Sequence, residues 1–167
     1  MKQFIRKSRN GFTLVELLVV IAIIAVLAGL GITVSVKVQE NTKKQKTKAQ
    51  IKQIENAIQE YHLDFGVYPV GDSDPNQNSK RLFECLFEGK DENGEEVGNN
   101  PECYATFLDP NGPGKSFVTD DFLILDPFDN PYHYLDADSG TTNNPDFDLW
   151  SIGKDAEDAT NDDMNNW

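Results

Sequence analysis

The chain has 167 residues, which allows one soluble domain beyond a hydrophobic N-terminal segment and is too short for a second full core. Its net charge of −13 is unevenly distributed, because residues 1–53 hold ten Lys or Arg and two Glu, whereas the remainder holds five Lys or Arg and twenty-six Asp or Glu. The acidic part lacks the clustered Lys and Arg that bind phosphate, which excludes a nucleic-acid-binding surface.

A basic leader and a hydrophobic segment open the chain. Residues 12–36 contain one charged residue, Glu16, and form an apolar run long enough for a membrane-spanning helix, which needs about 20 residues. The leader, residues 1–11, carries four positive side chains and is expected to stay in the cytoplasm, so that the C-terminal domain lies outside. The apolar run exceeds the roughly 7 to 15 residues of a secretory signal peptide, so a single-pass anchor is predicted.

The junction of these two segments has a specific sequence, GFTLVE at residues 11–16. It resembles the class III signal of type IV pilins and of the pseudopilins of type II secretion. The resemblance implies that a prepilin peptidase cuts between Gly11 and Phe12 and methylates the new amino terminus at Phe12. The hydrophobic helix then stays in the mature protein, where it forms the core of a filament.

Glu16 is unusual because an ionised carboxylate inside a membrane segment costs about 2.5 to 3.5 kcal/mol on insertion scales. The resemblance implies that Glu16 neutralises the N-terminal amine of a neighbouring subunit during assembly. The alternative is a carboxylate close enough to the lipid headgroups to remain hydrated, since only three residues separate it from Phe12. Both interpretations stay open at this point.

Residues 37–65 are predicted to continue the same helix, because no Pro or Gly interrupts it before Gly66. One apolar face recurs at steps of three and four residues, as an amphipathic helix requires. It comprises Ile51, Ile54, Ala57, Ile58, Tyr61 and Phe65. The lysines between residues 37 and 52 form either a solvated face near anionic headgroups or contacts with acidic residues of adjacent subunits.

Residues 66–120 are predicted to be a long irregular region, opened by a GVYP sequence that ends the helix. A short helix is expected at residues 81–87. The two cysteines, Cys85 and Cys103, have no metal-type spacing. In a domain outside the cytoplasm a disulfide between them is expected, with two free thiols as the alternative.

Residues 121–167 are predicted to hold a small antiparallel sheet. The sequence DPFDNPYHY at residues 126–134 is typical of a turn followed by a strand, and FDLWSIG at residues 147–153 of a further strand. The first sequence resembles the DPWGNPYxY signature of the major pseudopilins of type II secretion, with Phe128 and Asp129 replacing Trp and Gly. The predicted fold class is α+β, with a long N-terminal helix packed on this sheet and a C-terminal calcium loop.

The last fifteen residues are rich in Asp and Asn. On composition alone such a run is usually a solvated tail, although hard cations such as calcium prefer these oxygen ligands. The major pseudopilins end in a Ser-Leu-Gly-x-Asp turn, an acidic loop and Asn-Trp, which SIGKD at residues 151–155 and the terminal Asn166-Trp167 resemble. The resemblance implies calcium as a cofactor, held by side chains of Asp155, Asp162 and Asp163 and the carbonyl of Ile152. Further candidates are Asp158 and Asn161.

The function implied by this resemblance is that of a structural filament subunit of type II secretion, not an enzyme. His62 and His133 are isolated in the sequence, and no Ser or Cys lies in a nucleophile motif. The expected partners are further copies of the chain, the prepilin peptidase, the membrane, the inner-membrane secretion platform and minor pseudopilins, without nucleic acid. The expected location is the bacterial inner membrane and, after assembly, a periplasmic filament.

Two alternative functions remain compatible with the sequence. A type IV pilus or DNA-uptake pilin shares the N-terminal motif but usually lacks the DPxxNPY turn and the calcium loop. A membrane-anchored calcium-binding domain that never polymerises is the more distant alternative.

Overall fold

The computed structural model describes residues 12–97, 102–112 and 117–167, together with their side chains except those of residues 29–36. Contacts divide the chain into two compact units, Met1–Asn41 and Thr42–Trp167. The elements in chain order are helix α1 (Leu14–Phe65), helix α2 (Pro75–Leu86), a 3₁₀ turn (Thr106–Leu108) and strands β1 (His133–Asp136), β2 (Phe147–Ser151) and β3 (Met164–Asn165).

Helix α1 confirms the predicted helix up to Phe65. Gly66 follows with φ +73°, the left-handed conformation that ends many helices, and its N–H donates to the carbonyl of His62 at 2.8 Å. The predicted apolar face is also confirmed: Ile54, Ile58 and Tyr61 are buried, and Phe65 packs partly buried against the core. Each fully buried aliphatic side chain contributes roughly 1.5 to 3 kcal/mol, so this face attaches α1 to the domain.

Helix α2 corrects the prediction of a long irregular region at residues 66–120. The short helix expected at residues 81–87 begins at Pro75, because Asp74 caps it by accepting a hydrogen bond from the Asn76 N–H at 2.9 Å. A proline at the first helical position suits this start, since its missing N–H would have no partner there. Residues 98–101 and 113–116 of the predicted region lie outside the described residues.

The sheet is antiparallel in the order β1-β2-β3, as predicted for a small antiparallel sheet. Trp150 of β2 pairs with His133 of β1 and with Asn165 of β3. The third strand lies in the acidic tail, whereas residues 122–125 form isolated bridges only. Phe122 has φ +64°, which turns the chain there and prevents a continuous strand.

The inner face of the sheet contributes Tyr134 and Leu149 to the core, while Trp150 and His133 are only half-buried. Two tyrosine hydroxyls at this core donate hydrogen bonds to other parts of the chain. Tyr132 donates to the Gln50 side chain of α1 at 2.9 Å, and Tyr134 donates to the carbonyl of Pro69 at 3.0 Å. The segment just before β1 is therefore hydrogen-bonded to the second half of α1, and β1 is hydrogen-bonded to the segment that follows α1.

Candidate functional site

The first turn of α1 is closed by a reciprocal pair of hydrogen bonds between Thr13 and Glu16. The N–H and the hydroxyl of Thr13 both donate to Glu16 Oε2 at 2.8 Å, and the N–H of Glu16 donates to the Thr13 hydroxyl at 3.2 Å. This is a capping box, which satisfies N–H groups that the first helical turn leaves without partners. The Thr-x-x-Glu spacing could have revealed this cap in the sequence. The assembly role of Glu16 stays a prediction, and Gly11 lies outside the described residues.

The apolar side chains on either side of the cap are exposed around the whole circumference of the helix. They run from Phe12, which is 76% exposed, to Leu27, which is 63% exposed. A helix that is apolar on all sides requires a covering partner or an apolar solvent. Within the described part of the chain, no helix has both the length and the sustained hydropathy needed to cross a membrane. The structure therefore does not show the predicted span of residues 12–36.

The turn at residues 126–130 is organised by the buried carboxylate of Asp126. Its Oδ1 accepts the N–H of Phe128 at 2.8 Å and the N–H of Asn130 at 2.9 Å, and its other oxygen accepts a short hydrogen bond from the Ser151 hydroxyl. Burial raises the pKa of Asp126, and these hydrogen bonds oppose that shift. The DPFDNPY turn is therefore fixed by its own aspartate.

This turn is also joined directly to the SIG sequence at residues 151–153. Besides the bond between Asp126 and Ser151, the side-chain amide of Asn130 donates to the carbonyl of Gly153 at 2.6 Å. Ser151 in turn accepts the N–H of Gly153 at 3.2 Å. The two sequences that carry the resemblance to major pseudopilins thus form one hydrogen-bonded unit, which positions the start of the acidic loop.

Within the acidic loop, Asp162 is the carboxylate with the most hydrogen bonds. Its Oδ2 accepts the N–H of Lys154 at 2.7 Å and of Asp155 at 3.3 Å, and its Oδ1 accepts the Thr160 hydroxyl at 2.8 Å. Burial opposes ionisation, but the hydrogen bonds outweigh it and lower the pKa of Asp162 to about 2. Asp162 is therefore an anion at neutral pH that closes the loop onto its own beginning.

The other predicted ligands lie in the same loop with different partners. Asp163 accepts the N–H of Thr160 at 3.1 Å, and Asp155 accepts the N–H of Glu157 at 3.0 Å. Asp158 accepts the indole N–H of Trp150 at 2.9 Å, and Asn161 is exposed. Thr160 was not predicted, although its hydroxyl contacts carboxylates of both Asp162 and Asp163.

The fit of calcium to this loop can be judged from its donor atoms. Carboxylate oxygens of Asp155, Asp162 and Asp163 are the ligands that calcium prefers, and one of these side chains is strongly acidic. In the arrangement seen here they accept N–H and O–H donors of the loop instead. Among the described residues no three His, Cys, Asp or Glu side chains are grouped so that they could hold one metal ion.

The two cysteines are free thiols in the structure, which therefore does not show the predicted disulfide between Cys85 and Cys103. Cys85 is fully buried on the inner face of α2 and donates through Sγ to the carbonyl of Asp91 at 3.1 Å, whereas Cys103 is exposed. The residue 102–105 segment is held without a bridge, because the N–H groups of Tyr104 and Ala105 donate to the carbonyl of Leu86.

Two sequence families match the chain. A prokaryotic N-terminal methylation motif matches residues 6–32, which include Gly11, Phe12 and Glu16. The family described as type II secretion system (T2SS), protein G, matches residues 35–100 and 107–167. The two matches together account for most of the chain.

Similar proteins occur in several bacteria. The type II secretion system core protein G of Pseudomonas aeruginosa is 29% identical over 165 residues, which is 97% of each chain. That of Escherichia coli K12 is 33% identical over 160 residues, 96% of this chain and 92% of the relative. The crystal structure of the major pseudopilin from the type 2 secretion system of enterohaemorrhagic Escherichia coli matches with a TM-score of 0.44 and 20% identity, over 79% of this chain and 92% of the other. By its sequence relationships, the chain belongs to the type II secretion system protein G family of type IV pilin-like pseudopilins.

Proposed function

We propose that this chain is the major pseudopilin of a type II secretion system, a structural subunit whose N-terminal helices bundle into a filament. The observation that carries the proposal is the apolar surface of residues 12–27, at the start of α1, which is exposed around the whole helix. Burying this surface against other copies of the chain stabilises the assembly by roughly 25 cal/mol per Å² of buried apolar area. The proposal assigns no catalytic role to the chain.

The filament forms only after processing at the N-terminus. A prepilin peptidase cleaves between Gly11 and Phe12 and methylates Phe12, which is supported by the methylation motif at residues 6–32. Phe12 directly precedes the capping residue Thr13, so the mature chain begins at the helix start and needs no extra residues to cap it. Glu16 then lies one helical turn from the new amine, within reach of the amine of a neighbouring copy.

The location follows from the charge and hydropathy of the sequence. Before assembly, residues 12–36 anchor the chain once in the bacterial inner membrane, with the basic leader in the cytoplasm and the acidic domain outside. After assembly, the filament stands in the periplasm. Its partners are the prepilin peptidase, the inner-membrane secretion platform and minor pseudopilins.

Calcium is the proposed cofactor of the acidic loop. The residues that would hold it are Asp155, Asp162 and Asp163 through side chains, and Ile152 through its carbonyl. Support comes from the oxygen-only donor set and from the low pKa of Asp162, which keeps that side chain ionised. A bound calcium ion would neutralise the carboxylates, and the hydrogen bonds of Asp162 to Lys154 and Asp155 already draw the two ends of the loop together.

Co-expression of the full chain with a prepilin peptidase tests the function. Mass spectrometry is expected to find a mature N-terminus at a methylated Phe12, and electron microscopy is expected to find filaments. A Gly11→Ala variant is the control, because its precursor should remain uncut and no filaments should form. A processed chain that stays dispersed would contradict the filament function and leave a membrane-anchored domain.

A further inference from the structure

The two tryptophans of the chain form an aromatic corner beside the acidic loop. Trp150 of β2 and the terminal Trp167 have ring centroids 6.0 Å apart and ring planes at 70°. Trp150 is half-buried and Trp167 is 47% exposed, so the corner is open to solvent. Flanking residues Leu149 and Ser151 are buried, which places Trp150 on the sheet face that points away from the core.

An acidic side chain completes this corner. Asp158 is exposed, and its Oδ1 accepts the indole N–H of Trp150 at 2.9 Å. Two aromatic faces next to a carboxylate are suited to an ammonium or guanidinium group, because the ring faces carry negative charge and the carboxylate adds to it. No lysine or arginine among the described residues lies over either indole ring, and the one such contact there joins Lys43 to Phe128 at 5.3 Å.

A matching set of cations lies on α1. Lys44, Lys48 and Lys52 follow each other at steps of four residues and therefore share one face of the helix, here called the lysine stripe. Lys48 and Lys52 are exposed. Lys52 forms an ion pair with Glu55 at 3.1 Å, while Lys44 and Lys48 form no ion pair with any described residue.

We propose that the aromatic corner of one subunit receives a lysine ammonium from the lysine stripe of a second copy of this chain. The inference rests on the proposed filament, in which every copy offers both surfaces. The contact is head-to-tail, so it can repeat along a filament without closing. Charge complementarity selects the partner, because six of the twelve lysines of the sequence lie on this helix, whereas residues 155–163 beside the corner carry five carboxylates.

Tryptophan fluorescence reports on this corner alone, because Trp150 and Trp167 are the only tryptophans of the sequence. In filaments of the full chain, the acrylamide quenching constant is expected to fall at least about twofold relative to the detergent-dispersed chain, because a lysine packed on a ring blocks that face. The variant carrying K44Q, K48Q and K52Q should lose this protection, whereas K80Q on the exposed surface of α2 should keep it. Equal protection in the triple variant, or none in the wild type, would overturn the proposal.

Lysine acetylation in wild-type filaments gives a second readout that needs no variant, in case the triple variant does not assemble. Acetylation of Lys48 is expected to slow at least about twofold on assembly relative to Lys80, as expected for a desolvated ammonium. If the lysines are protected but acrylamide still quenches the tryptophans fully, the lysines contact another surface, and the proposed contact with the aromatic corner is overturned. Absence of wild-type filaments overturns the proposed function itself, whereas filaments with an open corner overturn this inference alone.

Discussion

Gly153 lies against Asp162 so closely that a side chain at position 153 has no room. A Cβ there would come within 2.5 Å of Asp162 Oδ2 and 2.7 Å of its carbonyl oxygen, and φ at Gly153 is +69°. The SIG turn and the acidic loop are thus packed backbone to backbone, and Asp162 can accept the N–H of Lys154 only because position 153 carries no Cβ.

The first prediction concerns Gly153→Ala. This substitution should lower the free energy of unfolding by about 2 to 4 kcal/mol, combining left-handed strain of roughly 1 kcal/mol with displacement of Asp162. Gly66→Ala is the matched control, because Gly66 has φ +73° and no atom within 4 Å of its would-be Cβ. Urea unfolding of the full chain in detergent, followed by tryptophan fluorescence, measures both. If both variants lose the same free energy of unfolding, Asp162 moves aside at no energetic cost, which would contradict the prediction.

The second prediction concerns the pH dependence of stability at Asp126. Because burial raises the pKa of Asp126, the fold favours its neutral form, and the wild type loses stability as pH rises from the ordinary 3.8 through the raised pKa. Asp126→Asn stays neutral throughout, so its melting temperature relative to wild type should increase over that interval and level off above it. Asp138→Asn, at an exposed site, serves as the control. A difference that stays constant with pH would contradict the shift.

The third prediction concerns thiol reactivity. Burial raises the pKa of Cys85 to about 12, so its thiol is protonated at pH 8 as well as inaccessible. Native full-length chain should therefore react with one maleimide, at the exposed Cys103, and unfolded chain with two. Mass spectrometry of the labelled peptides identifies the site. If the chain reacts with maleimide only after a reductant is added, the result would support a disulfide between Cys85 and Cys103.

The fourth prediction concerns calcium. If Asp155, Asp162 and Asp163 hold the ion, calcium at about 100 times its Kd should stabilise the folded chain by about 2.7 kcal/mol, seen as a higher melting temperature. Asp162→Asn should abolish this increase, while Asp138→Asn, which removes the same charge elsewhere, should retain it. If calcium raises the melting temperature of Asp162→Asn as much as that of the wild type, this loop is not the calcium site. If a chelator leaves the melting temperature of the wild type unchanged, calcium is not a cofactor.

The sequence was informative where one local rule governs the chain. The apolar period of Ile51, Ile54 and Ile58 predicted the buried face of α1, and Gly66 predicted its end, because periodicity and left-handed backbone are local properties. The start of α2 could also have been predicted, because Asp74 followed by Pro75 is a typical helix start. It was missed because the acidic composition of the region indicated a loop.

Long-range contacts explain what the sequence did not reveal. The bond between Asp126 and Ser151 joins residues 25 positions apart, and no local pattern predicts such a pair. Strand β3 has two residues and exists because β2 offers it an edge. The disulfide was predicted from the expected cellular location of the domain. Cys85 lies on the same apolar face of α2 as Leu82 and Leu86, and this position directs its side chain into the core.

The most direct test of filament assembly through the N-terminal helix is electron microscopy of chains co-expressed with a prepilin peptidase, comparing Glu16→Ala, Glu16→Gln and Thr13→Ala. Glutamine can still cap the helix but carries no charge, and Thr13→Ala removes the cap while keeping the carboxylate. If Glu16 pairs with the amine of a neighbouring Phe12, both Glu16 variants should be cleaved and form no filaments, while Thr13→Ala should form them. Normal filaments from Glu16→Gln would contradict that role and leave Glu16 as a helix cap.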